Sequence, residues 1–183
     1  IVETSILGGE AHFDETCNIV ASSNPDRAFY SNILKVKQNG SEVENAVSYS
    51  DQAKPSSSQV NLTDRPLAGL IPEGASETTV DYVVIPGAGK SADYAGLDVK
   101  EKIAVVNRGN LTFVNKTKLA ALNGAIALIV VNNDSSSTFN FSMDFSNYSP
   151  TIPVCFVFQS TISTWGAYVQ TPAKTAEGYR SEE

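Results

Sequence analysis

The sequence predicts a mixed α/β fold, rich in strands, on three observations. Lys102 to Val106 is a short β-branched apolar run with little polar alternation, as a strand covered on both faces requires. Ala125 to Val131 is a second, continuous apolar run. Between them, Thr112 to Leu122 carries helical spacing. Strand, helix and strand form a βαβ unit, expected to be parallel and right-handed.

The elements follow in sequence order. Cys17 sits in a strand-like stretch from Thr16. Arg27 to Val36 is a strand candidate through Phe29, Ile33, Leu34 and Val36. Asn39-Gly40 then gives a hairpin turn, and Ser41 to Ser50 returns with Val43, Val47 and Tyr49. Lys54 to Gln59 is a Ser/Pro connection, and Val80 to Ile85 is a further strand. Arg108-Gly109-Asn110 breaks the first buried strand with turn chemistry. Thr112 can cap the helix that follows. Phe113, Lys116, Leu119, Ala120 and Leu122 supply an apolar stripe plus cationic character on the outer side, Lys116 being the cation of the set. Asn123-Gly124 ends it, because glycine tolerates the left-handed conformation. Pro153 opens the last core strand, Val154 to Phe158, a position where the missing N–H is tolerated. From Thr171 the tail is polar and reads as a linker.

The central stretch resembles the core of the protease-associated (PA) domain family. The residues that carry the likeness are Lys102, Ile103, Ala104, Val105, Arg108, Gly109, Phe113, Lys116, Ala121, Gly124, Ala125, Ile129, Asn132 and Asn133, with Ile152-Pro153-Val154 before the last strand. Roughly residues 78–158 are covered. After the last strand the family has an acidic-glycine pair where this protein has Gln159-Ser160-Thr161-Ile162. Upstream, Thr16 to Asp26 resembles the strand that leads from a subtilisin-like catalytic domain into its PA insert, and Tyr82 to Asp98 resembles the approach to the PA core in large secreted members of that group. Ile1 to Asp14 holds no asparagine, so no oxyanion role carries over. The resemblance implies a barrel-like PA core with the βαβ crossover and one or two flanking helices. It divides the sequence into a flanking segment at 1–16, a PA domain at 17–165 and a linker at 166–183.

Composition bounds the function. The 183 residues are 42% hydrophobic, enough for one real core. A formal net charge of −7 argues against nucleic acid and anionic membrane surfaces, which need a basic footprint. No apolar run reaches membrane-spanning length. A sequence that starts at Ile1 and whose one methionine is Met143 reads as an excised or processed fragment.

Catalytic chemistry finds few candidates. A serine relay needs a histidine, and His12 is the single one. It lies in a Glu10 to Glu15 cluster that reads as a solvated surface, and no Gly-Thr-Ser nucleophile context occurs. One histidine and two distant cysteines do not make a usual zinc site. Asp93 and Asp98 could face a calcium ion, but they fit no ligand spacing and read as turn residues. Pro86-Gly87-Ala88-Gly89-Lys90-Ser91 imitates a phosphate loop; the required earlier glycine is replaced by Val84, and no helix pattern follows. Cys17 and Cys155 are either buried free thiols or a disulfide, which would contribute on the order of 4 kcal/mol.

One long segment, Asp134 to Pro150, interleaves Phe139, Phe141, Met143, Phe145 and Tyr148 with Ser and Asn. Two readings stand. Phe139, Phe141, Phe145 and Tyr148 form a protein-recognition surface, or the alternation marks an extra edge strand packing into the core. Seven Asn-x-Ser/Thr sequons, at Asn39, Asn61, Asn110, Asn115, Asn133, Asn140 and Asn147, matter only in a eukaryotic secretory protein.

The resemblance implies a non-catalytic insert of a secreted or cell-surface subtilisin-like serine endopeptidase, with its triad elsewhere and no cofactor. Its expected partners are protein or peptide substrates and the catalytic domain of the same polypeptide, with no nucleic acid and no membrane insertion. The rival is a PA domain of a sorting receptor or a metallo-aminopeptidase.

Overall fold

The computed structural model describes residues 15–20, 33–38, 41–42, 47–53, 65–134, 143–145 and 148–164. Among these, the strands are β1 (Thr16–Val20), β2 (Ile33–Gln38), β3 (Ser41–Glu42), β4 (Val47–Ser48), β5 (Ser50–Asp51), β6 (Glu77–Val84), β7 (Ile103–Asn107), β8 (Ala127–Val131) and β9 (Val154–Val157). The α-helix is α1 (Phe113–Leu122), and short 3-10 turns cover Leu67–Leu70, Ser91–Tyr94 and Gln159–Thr164.

The strands share one sheet in the order β3-β2-β1-β6-β7-β8-β9-β5, with β4 also on β2. β6, β7, β8 and β9 run parallel, and β1, β2, β3 and β4 pair antiparallel beside them. The βαβ unit expected from sequence is present, with Ile103 opposite Ala127 and Asn107 opposite Val131. The hairpin return is more divided than the sequence suggests. It pairs β2 through β3 and β4, then crosses after Tyr49 to pair β9 through β5. One short segment thus touches both ends of the strand order and leaves the sheet a nearly closed barrel. Gln38 pairs with Ser41, leaving a two-residue connection as Asn39-Gly40 predicts, although those two residues lie outside the described ones.

Period-two alternation splits the buried strands between two cores. Ile103 and Val105, Ala127, Ile129 and Val131, and Cys155 and Val157 join Cys17, Ile19, Leu34, Val36 and Tyr82 in the barrel interior. Their neighbours Ala104 and Val106, Leu128 and Val130, and Val154 and Phe156 form the second core with Phe113, Ala120, Met143 and Phe145. A continuous apolar run in sequence is the consequence of burial on both faces.

Helix α1 covers the outer face of the parallel strands, and its ends follow the sequence. Thr112 Oγ1 accepts from the Asn115 N–H at 3.2 Å. At the other end, the Gly124 N–H donates to Ala121 O and the Ala125 N–H to Ala120 O, both at 3.0 Å, with Gly124 at φ +91°. This pair of bonds is the Schellman arrangement.

Two expectations for α1 are corrected. Leu122 does not join the stripe: it is 80% exposed, because the helix turns it away from the sheet. Lys116 is not on the outer side: it is fully buried, and its ammonium donates to Ala88 O at 2.6 Å, Asn107 O at 2.8 Å and Gly109 O at 2.9 Å. Helical spacing from Phe113 points it inward, and the backbone carbonyls at the end of β7 make that burial tolerable.

Gly89 packs against the second core with φ +81°, and a Cβ there would lie 2.8 Å from Val106 Cγ1. Gly89→Ala is therefore expected to destabilise the domain by about 1–3 kcal/mol through strain and overpacking. Urea unfolding of Gly89→Ala, Val106→Ala and the double variant checks this. The combined loss should be smaller than the sum, since removing the Val106 methyls relieves the clash.

Candidate functional site

The sequence-predicted recognition segment is seen in part. Phe139 and Phe141 lie outside the described residues, as does His12. Residues 143–145 and 148–150 form a strap over the outer face, beside α1. Met143 and Phe145 are buried in the second core. Tyr148 is half-buried, and the Lys118 ammonium lies 5.1 Å from its ring centroid in a cation–π contact.

The strap is pinned by long-range bonds that no local sequence pattern announces. The Met143 N–H donates to Gln52 Oε1 at 2.9 Å, while Gln52 uses its own N–H on Val154 O at 2.7 Å. Arg65 Nε donates to Pro150 O at 2.8 Å, 85 residues away in sequence. The Tyr148 N–H closes a turn onto Phe145 O at 2.9 Å. Within the strap, then, Phe145 serves packing, and Tyr148 is the aromatic that reaches the surface.

The loops beyond the carboxyl ends of the parallel strands form a second, polar cluster. Lys116 ties together the Ala88 loop, the end of β7 and the Gly109 turn. Arg108 Nη1 donates to Asn132 Oδ1 at 3.0 Å, and the same oxygen accepts the Asn133 N–H at 2.9 Å. The loop that imitates a phosphate site closes on its own carboxylate, with the Lys90 N–H given to Asp93 Oδ2 at 2.9 Å. Asp98 is likewise a turn residue: its Oδ1 accepts the Lys100 N–H at 3.1 Å, and its Oδ2 lies 3.7 Å from Lys102 Nζ. Among the described residues, no three His, Cys, Asp or Glu side chains are grouped to hold a metal.

The cysteines are two buried free thiols inside the barrel. Burial pushes both thiols well up, so neither is a ready nucleophile. Cys155 Sγ donates to Asp51 Oδ1 at 3.4 Å, and the same carboxylate oxygen accepts the Leu67 N–H at 2.9 Å. Asp51 thereby joins β5, β9 and the 3-10 turn that inserts fully buried Leu67 into the barrel. Desolvation raises its pKa, against the lowering effect of the Leu67 and Cys155 donors.

A family profile described as "PA domain" matches residues 74–165, half of the sequence. The chain belongs to the PA domain family. The match runs from just before β6 through β9, and β1 to β5 complete the same barrel in front of it. Among curated proteins, it is 44% identical over 79 residues to the PII-type proteinase of Lactococcus lactis subsp. cremoris, covering 43% of this protein and 4% of that one. It is 43% identical over 51 residues to the minor extracellular protease Vpr of Bacillus subtilis (strain 168), covering 28% of this protein and 6% of that one. The crystal structure of BSAP, a zinc aminopeptidase from Bacillus subtilis, aligns with a TM-score of 0.49 at 21% identity, covering 80% of this protein and 29% of that one. The PA domain thus spans only a few per cent of the length of its curated relatives.

The raised pKa of Asp51 fixes the sign of a pH effect. The folded state holds the Asp51 proton more tightly than the unfolded state does. Its contribution to stability is fully present below the unfolded carboxylate pKa, near 3.9, and is lost as pH rises through the higher folded value. Glu15, whose pKa is also raised by desolvation, acts in the same direction. Asp51→Asn, whose amide oxygen can still accept the Leu67 N–H, should flatten that loss. Urea midpoints measured from about pH 4 to pH 7 should fall less in the variant than in the parent, and equal slopes would remove the carboxylate from this role.

Proposed function

We propose that this PA domain is a non-catalytic insert of a subtilisin-like serine endopeptidase that works outside the cell. There it contacts protein substrates and the catalytic domain of its own polypeptide. The observation that carries the reading is the family match together with the identity of the relatives. Curated proteins more than 40% identical over the matched stretch are a proteinase and an extracellular protease, and the stretch is a small part of each. The upstream likeness of Thr16 to Asp26 to the strand entering a PA insert points to the same parent class. The domain occupies residues 17–165 in this reading, with flanks at 1–16 and 166–183 as connections.

The surface offered to substrate is the strap, with Phe139, Phe141, Phe145 and Tyr148 as the proposed binding residues. Within that set the roles divide. Phe145 holds the strap down from the second core, and Tyr148 presents ring area with Lys118 alongside it. An aromatic ring beside an ammonium gives contact area at low entropy cost, and a cation that can meet substrate carboxylates.

The test uses the full parent protease. Tyr148→Ala is expected to leave the melting temperature close to that of the parent and to raise KM for casein several-fold, with a small chromogenic peptide cleaved as before. Phe145→Ala is expected to cost about 3–5 kcal/mol of domain stability through the cavity it leaves. If Tyr148→Ala cleaves casein with unchanged kinetics, the strap is not the recognition surface. The 183 residues alone, treated with a fluorophosphonate probe, are expected to remain unlabelled; specific labelling of one of their serines would overturn the non-catalytic reading.

A further inference from the structure

We propose that Asn123-Gly124 is a site of hydrolytic deamidation, held closed by the turn that ends α1 and reacting when that turn opens. In the reaction the Gly124 backbone nitrogen attacks Asn123 Cγ and forms a new C–N bond. The bond between Cγ and Nδ2 breaks and ammonia leaves, giving a cyclic succinimide. Water then opens the ring at either carbonyl, leaving aspartate or isoaspartate. Amide plus water becomes acid plus ammonia, so solvent is the only co-reactant.

The site has the required composition and access. Asn123 is exposed. The next residue has no Cβ to shield the attacking nitrogen. Leu122 beside it is 80% exposed, so little apolar burial holds this part of the last turn.

Three bonds act as the brake. The Gly124 N–H is donated to Ala121 O at 3.0 Å, which occupies the nucleophile. Asn123 Nδ2 donates to Leu119 O at 2.8 Å, which holds the side-chain amide back along the helix. The Ala125 N–H donates to Ala120 O at 3.0 Å and locks the backbone direction after the turn. With Asn123 at ψ 4°, the Gly124 nitrogen stays in its helical position and does not swing onto Cγ.

The product cannot rebuild the turn it came from. A carboxylate has no N–H for Leu119 O, and it places negative charge at the negative pole of α1. Isoaspartate also lengthens the backbone beside Gly124, whose carbonyl accepts the Glu101 N–H at 2.8 Å and where an added Cβ would lie 3.2 Å from Lys100 Cα. Each event therefore loosens both the helix end and the turn before β7, and the change runs one way.

The experiment follows acid and isoaspartate at Asn123 by peptide mass mapping and isoaspartyl methyltransferase labelling, in mildly alkaline buffer. The folded protein should react more slowly than the urea-unfolded protein. Ala121→Gly, which weakens the last turn of α1, should raise the folded-state rate about five-fold. Urea below the unfolding transition, applied to the unaltered protein, should raise it as well, so the test survives if that variant fails to fold. Asn123→Gln should abolish the isoaspartate signal at this position. A folded-state rate equal to the unfolded one, no response to either way of loosening the turn, or no product at Asn123 would each overturn the proposal.

Discussion

The buried ammonium of Lys116 is the interaction on which the rest of this domain depends. A lysine withdrawn from water is costly unless its charge is met by well-placed acceptors. Here the acceptors are the carbonyls of Ala88, Asn107 and Gly109, from three successive backbone segments that follow β6, end β7 and lead into α1. Each carbonyl would otherwise need its own partner in a crowded place. One cation answers all three, and so fixes how the loops beyond the sheet sit relative to the helix. The same requirement holds α1 in register on the sheet, since a shifted helix would carry the charge away from its acceptors.

Around that knot, the architecture follows from alternation. Strands β7, β8 and β9 are apolar at nearly every position because one set of side chains fills the barrel and the other meets α1 and the strap. The barrel is nearly shut by a very short device, two two-residue strands on either side of Tyr49. Asp51 reinforces the closure by reaching Leu67 and Cys155 at once. The polar groups that matter in this protein are thus stitches between distant segments, as Gln52 to Met143 and Arg65 to Pro150 also are. Such bonds suit a scaffold that presents a surface.

Local chemistry makes much of the core legible in the sequence. The runs ending at Val106 and Val131, the Thr112 cap, the glycine stop at Gly124 and the proline before β9 each act within a few residues, and each is found where expected. The family likeness comes from the same stretch. Strand pairing over long separations is not legible. β4 and β5 are too short to show a period, and nothing near Tyr49 says that the pairing partner switches there. Lys116 reads as outward in the sequence because a lysine on a helix is ordinarily solvated; its place three residues after Phe113, on the buried face, is the available signal. For the recognition segment, the sequence singles out the aromatics but not their division of labour. Burial of Phe145 beside a half-exposed Tyr148 depends on Gln52 and Arg65, which lie far away in sequence.

The functional reading rests on the same physics. A PA domain whose loops are tied by a buried cation and whose strap is pinned at Met143 and Pro150 can offer a fixed surface to a partner without ordering it anew on contact. The most direct measurement is native-state hydrogen exchange on Lys116→Met, a substitution of similar length that removes the charge. Protection should fall at the amides of Lys90, Arg108 and Asn115, around the loops that Lys116 joins, while the amides that pair β1 with β2 stay protected in a folded domain. Unchanged protection at the three loop amides would contradict the account, because the loops would then be held by something other than the buried ammonium.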